Sequence, residues 1–160
     1  MNEEDNKTLN TYLSDIKSLY QEISKWIHNT ALKMREEEMV IHEKASGEYT
    51  VKKLIILDDN DNRIAELVPV GAWIIGAKGR VDLIGKLDEV IIIDLEKGGP
   101  TLTTSITEEG KKEENKTKYL YKGVDQEGWY WIENTRLGRL YALDQQLFFE
   151  LLAEVSDYEV

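Results

Sequence analysis

The first part of the chain carries apolar side chains at three- and four-residue spacing, with polar residues between them. This spacing is the period of one helical face and predicts one long helix over about residues 5–40. The stripe consists of Leu9, Tyr12, Leu13, Ile16, Leu19, Tyr20, Ile23, Trp26, Ile27, Ala31 and Met34. Some of these residues also repeat every seven positions, as in helices that associate, so self-association through this helix is one interpretation.

After Gly47 the pattern changes to short runs rich in β-branched residues, separated by turn residues. These runs predict about six or seven strands in a mainly antiparallel sheet, including a hairpin between residues 119–122 and 129–133. Asp144 is a good N-cap for a short C-terminal helix with an apolar stripe. The pattern predicts an α+β fold with one domain over 1–160, divided into the helix and its lead-in (1–46), a β-rich core (47–142) and the C-terminal helix and tail (143–160).

The formal net charge is −11, and the acidity is concentrated at the two ends of the chain. Residues 1–48 carry ten acids against six bases, and residues 140–160 carry five acids and no base. Acidity opposes general binding to nucleic acid or to anionic membranes. The absence of cysteine excludes disulfides and thiolate metal sites. An acidic N-terminus without an apolar signal segment and the lack of a long apolar run favour a cytoplasmic protein without membrane segments.

Acidic residues occur on two predicted neighbouring strands in the middle of the chain. Asp82 lies in the first strand, and Asp94 and Glu96 follow in the next, with Lys97 after them. Carboxylates that converge in this way can hold magnesium, which activates water for phosphodiester hydrolysis. The pattern resembles the active-site core of the PD-(D/E)xK nucleases, which implies Asp82 and Asp94 as metal ligands, with Glu96 at the usual lysine position and Lys97 as a neighbouring substitute. The alternative is a hairpin with acids near its turns, and on this interpretation the chain is no enzyme and needs no cofactor.

Two further groups of residues point to a protein partner. Trp129 and Trp131 alternate on a predicted strand, and aromatic side chains of this kind are common at binding hot spots. The C-terminal helix and tail carry Glu150, Glu154, Asp157 and Glu159 without a base among them. The leading interpretation is a non-catalytic binding or adaptor protein that neutralises a basic protein partner. The alternatives are a metal-dependent nuclease-like domain or its inactive relative, and a self-assembling structural protein.

Overall fold

The computed structural model describes residues 1–106, 114–121, 123–134 and 139–160, which contain two helices and nine strands. In chain order the elements are α1 (Glu3–Ile27), β1 (Lys33–Glu43), β2 (Gly47–Leu57), β3 (Arg63–Gly71), β4 (Gly79–Gly85), β5 (Glu89–Leu95), β6 (Thr101–Ile106), β7 (Glu114–Tyr119), β8 (Gly128–Asn134), β9 (Arg139–Ala142) and α2 (Gln145–Ser156). An N-terminal helix, an antiparallel sheet and a short C-terminal helix confirm the predicted α+β class.

Seven of the described strands form one antiparallel sheet in the order β1-β2-β3-β4-β5-β8-β9. Neighbours in the sheet are also neighbours in sequence, except at β5 and β8. Between these two strands the chain forms a separate two-stranded sheet of β6 and β7. The expected hairpin between residues 119–122 and 129–133 is therefore wrong for the described part of the chain. β8 pairs with β5, which is distant in sequence, and not with the segment directly before it.

The predicted helix over residues 5–40 is wrong from residue 28 onwards. α1 ends at Ile27, whose carbonyl accepts a hydrogen bond of 2.7 Å from the Thr30 hydroxyl, while the same hydroxyl accepts the Leu32 N–H at 3.1 Å. Local bonds of this kind compete with continuation of a helix. Residues Lys33–Glu43 then pair with β2 along their whole length. Tertiary pairing thus overrides the helix propensity of the Met, Arg and Glu residues in β1.

The main hydrophobic core lies between the sheet and the two helices. α1 contributes most of its apolar stripe to this core, and Tyr12, Ile16 and Ile23 are each at most 3% exposed. Burial of a large apolar side chain contributes about 1.5–3 kcal/mol. The chain's own sheet covers the stripe, which leaves little of this face for the expected self-association. Within the described residues, no helix combines the length and the apolar character needed to cross a bilayer.

Two buried tyrosines fasten α1 to the sheet with their hydroxyl groups. Tyr12 donates to the carbonyl of Arg80 at 2.6 Å, and Tyr20 donates to the carbonyl of Lys52 at 2.7 Å. Burial raises the pKa of both tyrosines, so both remain phenols able to donate. The ring of Tyr12 lies directly over Gly79, where a Cβ atom would overlap the ring. The first half of α1 is therefore held close to the start of β4.

α2 forms as the sequence predicts. The Asp144 side chain caps it by accepting the Leu147 N–H at 2.8 Å, and the helix buries Phe148, Leu151, Leu152 and Val155. It ends at Asp157, which adopts the left-handed conformation with φ of 63°. The backbone of Val155 comes so close to Gly85 that a side chain at position 85 would overlap it. The end of α2 is consequently fixed against the turn between β4 and β5.

Candidate functional site

The acids expected to form a metal site lie on opposite faces of the sheet. Asp94 pairs with Gly79, whereas Asp82 pairs with Ile91. Directly paired residues share a face and successive residues alternate, so Asp82 and Asp94 point away from each other. Asp82 is instead engaged by Arg80, whose Nε and Nη2 atoms lie 2.8 and 2.9 Å from its two carboxylate oxygens.

Glu96 and Lys97 follow the end of β5, and both are exposed. Glu96 lines an open surface cleft of about 370 Å³. The structure therefore does not bring Asp82, Asp94, Glu96 and Lys97 together. Among the described residues, no three acidic or histidine side chains are gathered in a way that suits a metal ion.

Asp94 belongs to a different group of charges, which we call the buried cluster after this innermost member: Asp94, the largely buried Lys78, the half-buried Asp15 and the exposed Glu127. The Asp94 side chain is 2% exposed and lies beneath α1. The Lys78 ammonium is 3.3 Å from Asp15 Oδ2 and 3.7 Å from Asp94 Oδ1, and it also contacts Glu127. Asp94 Oδ2 is buried without a hydrogen-bond partner among the described residues. The buried cluster thus places three carboxyl groups around one ammonium group.

The environment of the buried cluster changes the proton affinity of its members. Burial, a hydrogen bond with Asp15 and the charge of Asp15 raise the pKa of Asp94 to about 8, against the lowering effect of Lys78. Burial opposes the charge of Lys78, but the hydrogen bond with Glu127 and the nearby acids outweigh it and raise the Lys78 pKa. A protonated Asp94 can donate to Asp15, which relieves the unpaired carboxyl oxygen. Near neutral pH, Asp94 is thus a carboxylic acid and Lys78 an ammonium ion.

Sequence reasoning singles out Asp94 but misses its partners. Asp94 is conspicuous because it closes the aliphatic run Val90–Ile93. Lys78 and Asp15 are 63 residues apart in sequence, and no local pattern indicates that they meet. Lys78 lies in the short segment between Gly76 and Gly79, and the sequence of this segment predicts only a turn between two strands.

The two tryptophans lie on the same face as Asp94, because Trp129 pairs with Asp94 and Trp131 is two residues further along β8. Both are half-buried against the main core. The Trp129 indole donates to the carbonyl of Asp15 at 3.3 Å. Trp131 stacks on Tyr141 of β9, with ring centroids 5.6 Å apart. The tryptophans therefore contribute to packing, and of the stacked pair Tyr141 is the more exposed member.

The four acids expected to meet a partner all lie on α2 and the residues after it, and all are exposed: Glu150, Glu154, Asp157 and Glu159. The turn after β4 adds to this surface, since the N–H groups of Leu87 and Asp88 donate to the carbonyl of Val155 at 2.8 and 3.3 Å. We call residues 86–89 and 150–159 together the acidic end. They carry six acids and one base.

An apolar residue protrudes at the acidic end. Leu87 is 60% exposed although its own backbone is hydrogen-bonded to α2. The last turn of α2 contains no basic residue, so the partial negative charge of its terminal carbonyls adds to that of the acids. The result is an exposed apolar side chain on a turn that is hydrogen-bonded to the acid-bearing end of α2.

Comparison of the chain with protein-family models, with curated proteins and with solved structures found no match.

Proposed function

We propose that the chain is a non-catalytic, cytoplasmic binding protein whose acidic end receives a basic segment of another protein. The observation that carries this proposal is Leu87, an exposed apolar side chain on a turn held by two backbone hydrogen bonds amid acids. Apolar anchors surrounded by complementary charge are typical of protein interfaces. Because the turn is already fixed, little conformational entropy is lost when a partner covers it.

The charges of the acidic end favour a basic partner in two ways. They increase the rate at which a positively charged surface approaches, and this effect weakens as salt shortens the Debye length to about 8 Å at physiological ionic strength. No salt bridge between these acids and another described residue competes with the partner. The acids of the buried cluster, in contrast, are already engaged by Lys78.

The proposal is tested with a variant in which Glu150→Gln, Glu154→Gln, Asp157→Asn and Glu159→Gln neutralise the acidic end. A matched control neutralises four exposed acids elsewhere, with Glu38→Gln, Glu48→Gln, Asp59→Asn and Glu96→Gln, and so has the same net charge. Binding of a labelled lysine- and leucine-rich peptide is measured by fluorescence anisotropy at low and physiological salt. We expect the first variant to lose about tenfold in affinity, from four surface charges of about 0.3–0.5 kcal/mol each, and the control to lose much less. Equal losses in the two variants would show that only net charge matters and would refute a specific site.

A second measurement addresses the native partner. A photo-crosslinking amino acid replaces Leu87 in one version of the protein and the equally exposed Val40 in another. We expect position 87 to capture one basic protein in the source cells, and the neutralised variant to lose that product. Capture of the same proteins at both positions, or of an acidic protein at position 87, would contradict the proposal.

A further inference from the structure

The contact between the first half of α1 and the sheet is built around Asp94. Asp94 lies between Gly79 and Trp129 in one row across β4, β5 and β8. Its backbone carbonyl accepts the Lys78 N–H at 2.7 Å, so the base of this row is fixed. From above, α1 supplies Asp15, whose own carbonyl accepts the Trp129 indole N–H. Asp15 and Asp94 therefore cannot move apart unless α1 leaves the sheet or side chains rearrange.

The charges at this contact do not balance when every group is ionised. The groups that face Asp94 are Asp15 from α1, Lys78 from the segment before β4 and Glu127 from the segment before β8. Three carboxylates against one ammonium leave an excess of two negative charges; the Glu127 side chain is 63% exposed, so water screens its charge, whereas Asp94 is almost completely buried. A buried charge without full compensation costs several kcal/mol. One bound proton removes half of this excess and gives the Asp94 carboxyl group a donor for Asp15.

We propose that a proton held between Asp94 and Asp15 is a structural part of the contact between α1 and the sheet, and that its loss loosens the first half of α1. The raised pKa of Asp94 supports this arrangement and sets the pH range over which it holds, since the closed contact retains the proton up to about pH 8. When the contact opens, water solvates Asp94 and its pKa returns towards its ordinary value, so opening releases the proton. Opening therefore becomes easier as the pH rises and stops changing once the closed form is itself deprotonated.

The loosened segment is delimited by the other attachments of α1. Tyr20 remains bonded to the Lys52 carbonyl, and Trp26 stacks on Phe148 of α2 with centroids 5.6 Å apart. Neither attachment includes a member of the buried cluster. The turns around Leu9 and Tyr12 are also attached through the Tyr12 hydroxyl on the Arg80 carbonyl, but this bond lies beside Gly79, the strand partner of Asp94, so we expect these turns to open first. The second half of α1 stays on the sheet.

Hydrogen exchange measured by mass spectrometry tests the proposal on the full chain between pH 5.5 and 9.5. After correction for the chemical exchange rate, we expect the opening of residues 8–16 to increase by about tenfold per pH unit and to level off near pH 8. The most protected amides of α2 report global unfolding, which releases the same proton, so the two regions are compared by the free energy of opening: residues 8–16 should open at a lower cost than α2 at every pH. Equal free energies of opening in α2 and in residues 8–16 would mean that both exchange only by global unfolding, which would contradict local loosening of α1.

Three variants identify the groups responsible. Asp94→Asn keeps a donor for Asp15 but cannot ionise, so the opening of residues 8–16 should become independent of pH. Asp15→Asn removes the neighbouring negative charge and should move the plateau to lower pH, whereas Lys78→Met removes the positive charge and should move it to higher pH. If Asp94→Asn does not fold, the opposite shifts of the plateau pH in Asp15→Asn and Lys78→Met still test the role of the shared proton. An unchanged plateau in both would refute the role of the shared proton.

Discussion

Replacing Asp94 by asparagine should stabilise the whole protein, and more so as the pH rises. In the folded chain the pKa of Asp94 is about 8, against an ordinary value of 3.8 for an exposed aspartate. Between these two values the folded chain holds a proton that the unfolded chain has released. The stabilising contribution of this raised pKa is therefore complete only below about pH 4, and it is lost as the pH rises towards 8. Asparagine resembles the protonated acid at every pH and does not suffer this loss.

The size of the effect follows from the proton linkage of one group. One proton corresponds to about 1.4 kcal/mol in the free energy of unfolding per pH unit. The difference between Asp94→Asn and the wild type should then grow by about 3 kcal/mol from pH 5 to pH 7 and stop growing above pH 8. A difference of this size is large compared with the roughly 5–15 kcal/mol that typically stabilise a folded domain.

Urea unfolding followed by circular dichroism at several pH values measures this difference. Asp59→Asn serves as the control, because it removes a carboxyl group from an exposed turn and leaves the buried cluster unchanged. Its unfolding free energy should follow the wild type across the whole range. Parallel curves for Asp94→Asn and the wild type between pH 5 and 7 would refute the reasoning, since they would mean that Asp94 is ionised in the folded chain.

Two further substitutions test how the fold positions these groups. Gly79→Ala should destabilise the protein by about 1–3 kcal/mol, because the new methyl group overlaps the buried ring of Tyr12, and the cost in urea unfolding should shrink when Tyr12→Leu makes room. Glu43→Gln should cost about 1–3 kcal/mol, because the Glu43 carboxylate accepts the N–H groups of Ala72 and Trp73 and an amide cannot replace both acceptor oxygens. Glu48→Gln in the neighbouring strand β2 is the exposed control. If it lost as much unfolding free energy as Glu43→Gln, the structural role assigned to the Glu43 carboxylate would be wrong.

Most of the fold could be predicted from the sequence because local signals agree with the final structure. The runs that became β2 to β5 alternate or are continuously apolar, and turn residues separate them. α2 combines a capping aspartate with an apolar stripe, and both signals are local. β1 could not be predicted in this way, since its Met, Arg and Glu residues favour a helix and only pairing with β2 makes them a strand. The pairing of β8 with β5 likewise depends on contacts across a long connection.

The candidate sites show the same division between local and nonlocal information. The acidic residues of α2 and the tail are close together in sequence, so their exposure followed from the apolar stripe on the other side of the helix. The position of Leu87 beside these acids could not be predicted from the local sequence, because it depends on the hydrogen bonds between the turn after β4 and the carbonyl of Val155. For Asp94, the sequence indicated an unusual acid after an aliphatic run but suggested Asp82 as its partner. Strand pairing decided against Asp82, and packing of α1 supplied Asp15 instead.

The acidic end could serve binding or solubility, and the distribution of salt bridges over the surface helps to distinguish these two explanations. Two acids of β1 have bases of β2 and β3 beside them: Glu36 lies 3.5 Å from Lys52, and Glu37 lies 3.8 Å from Lys53 and 3.4 Å from Arg63. Exposed pairs of this kind contribute only about 0–1 kcal/mol each, so their main effect is to cancel surface charge.

No salt bridge among the described residues performs this cancellation for the acids of α2. Solubility would be served by negative charge anywhere on the surface, and it gives no reason to combine uncancelled acids with an exposed leucine. A surface that meets a basic partner needs both features in one place, because the charges guide the approach and the apolar side chain gains free energy when it is covered. The coincidence of Leu87 with uncancelled charge at the end of α2 therefore favours a binding role over solubility alone.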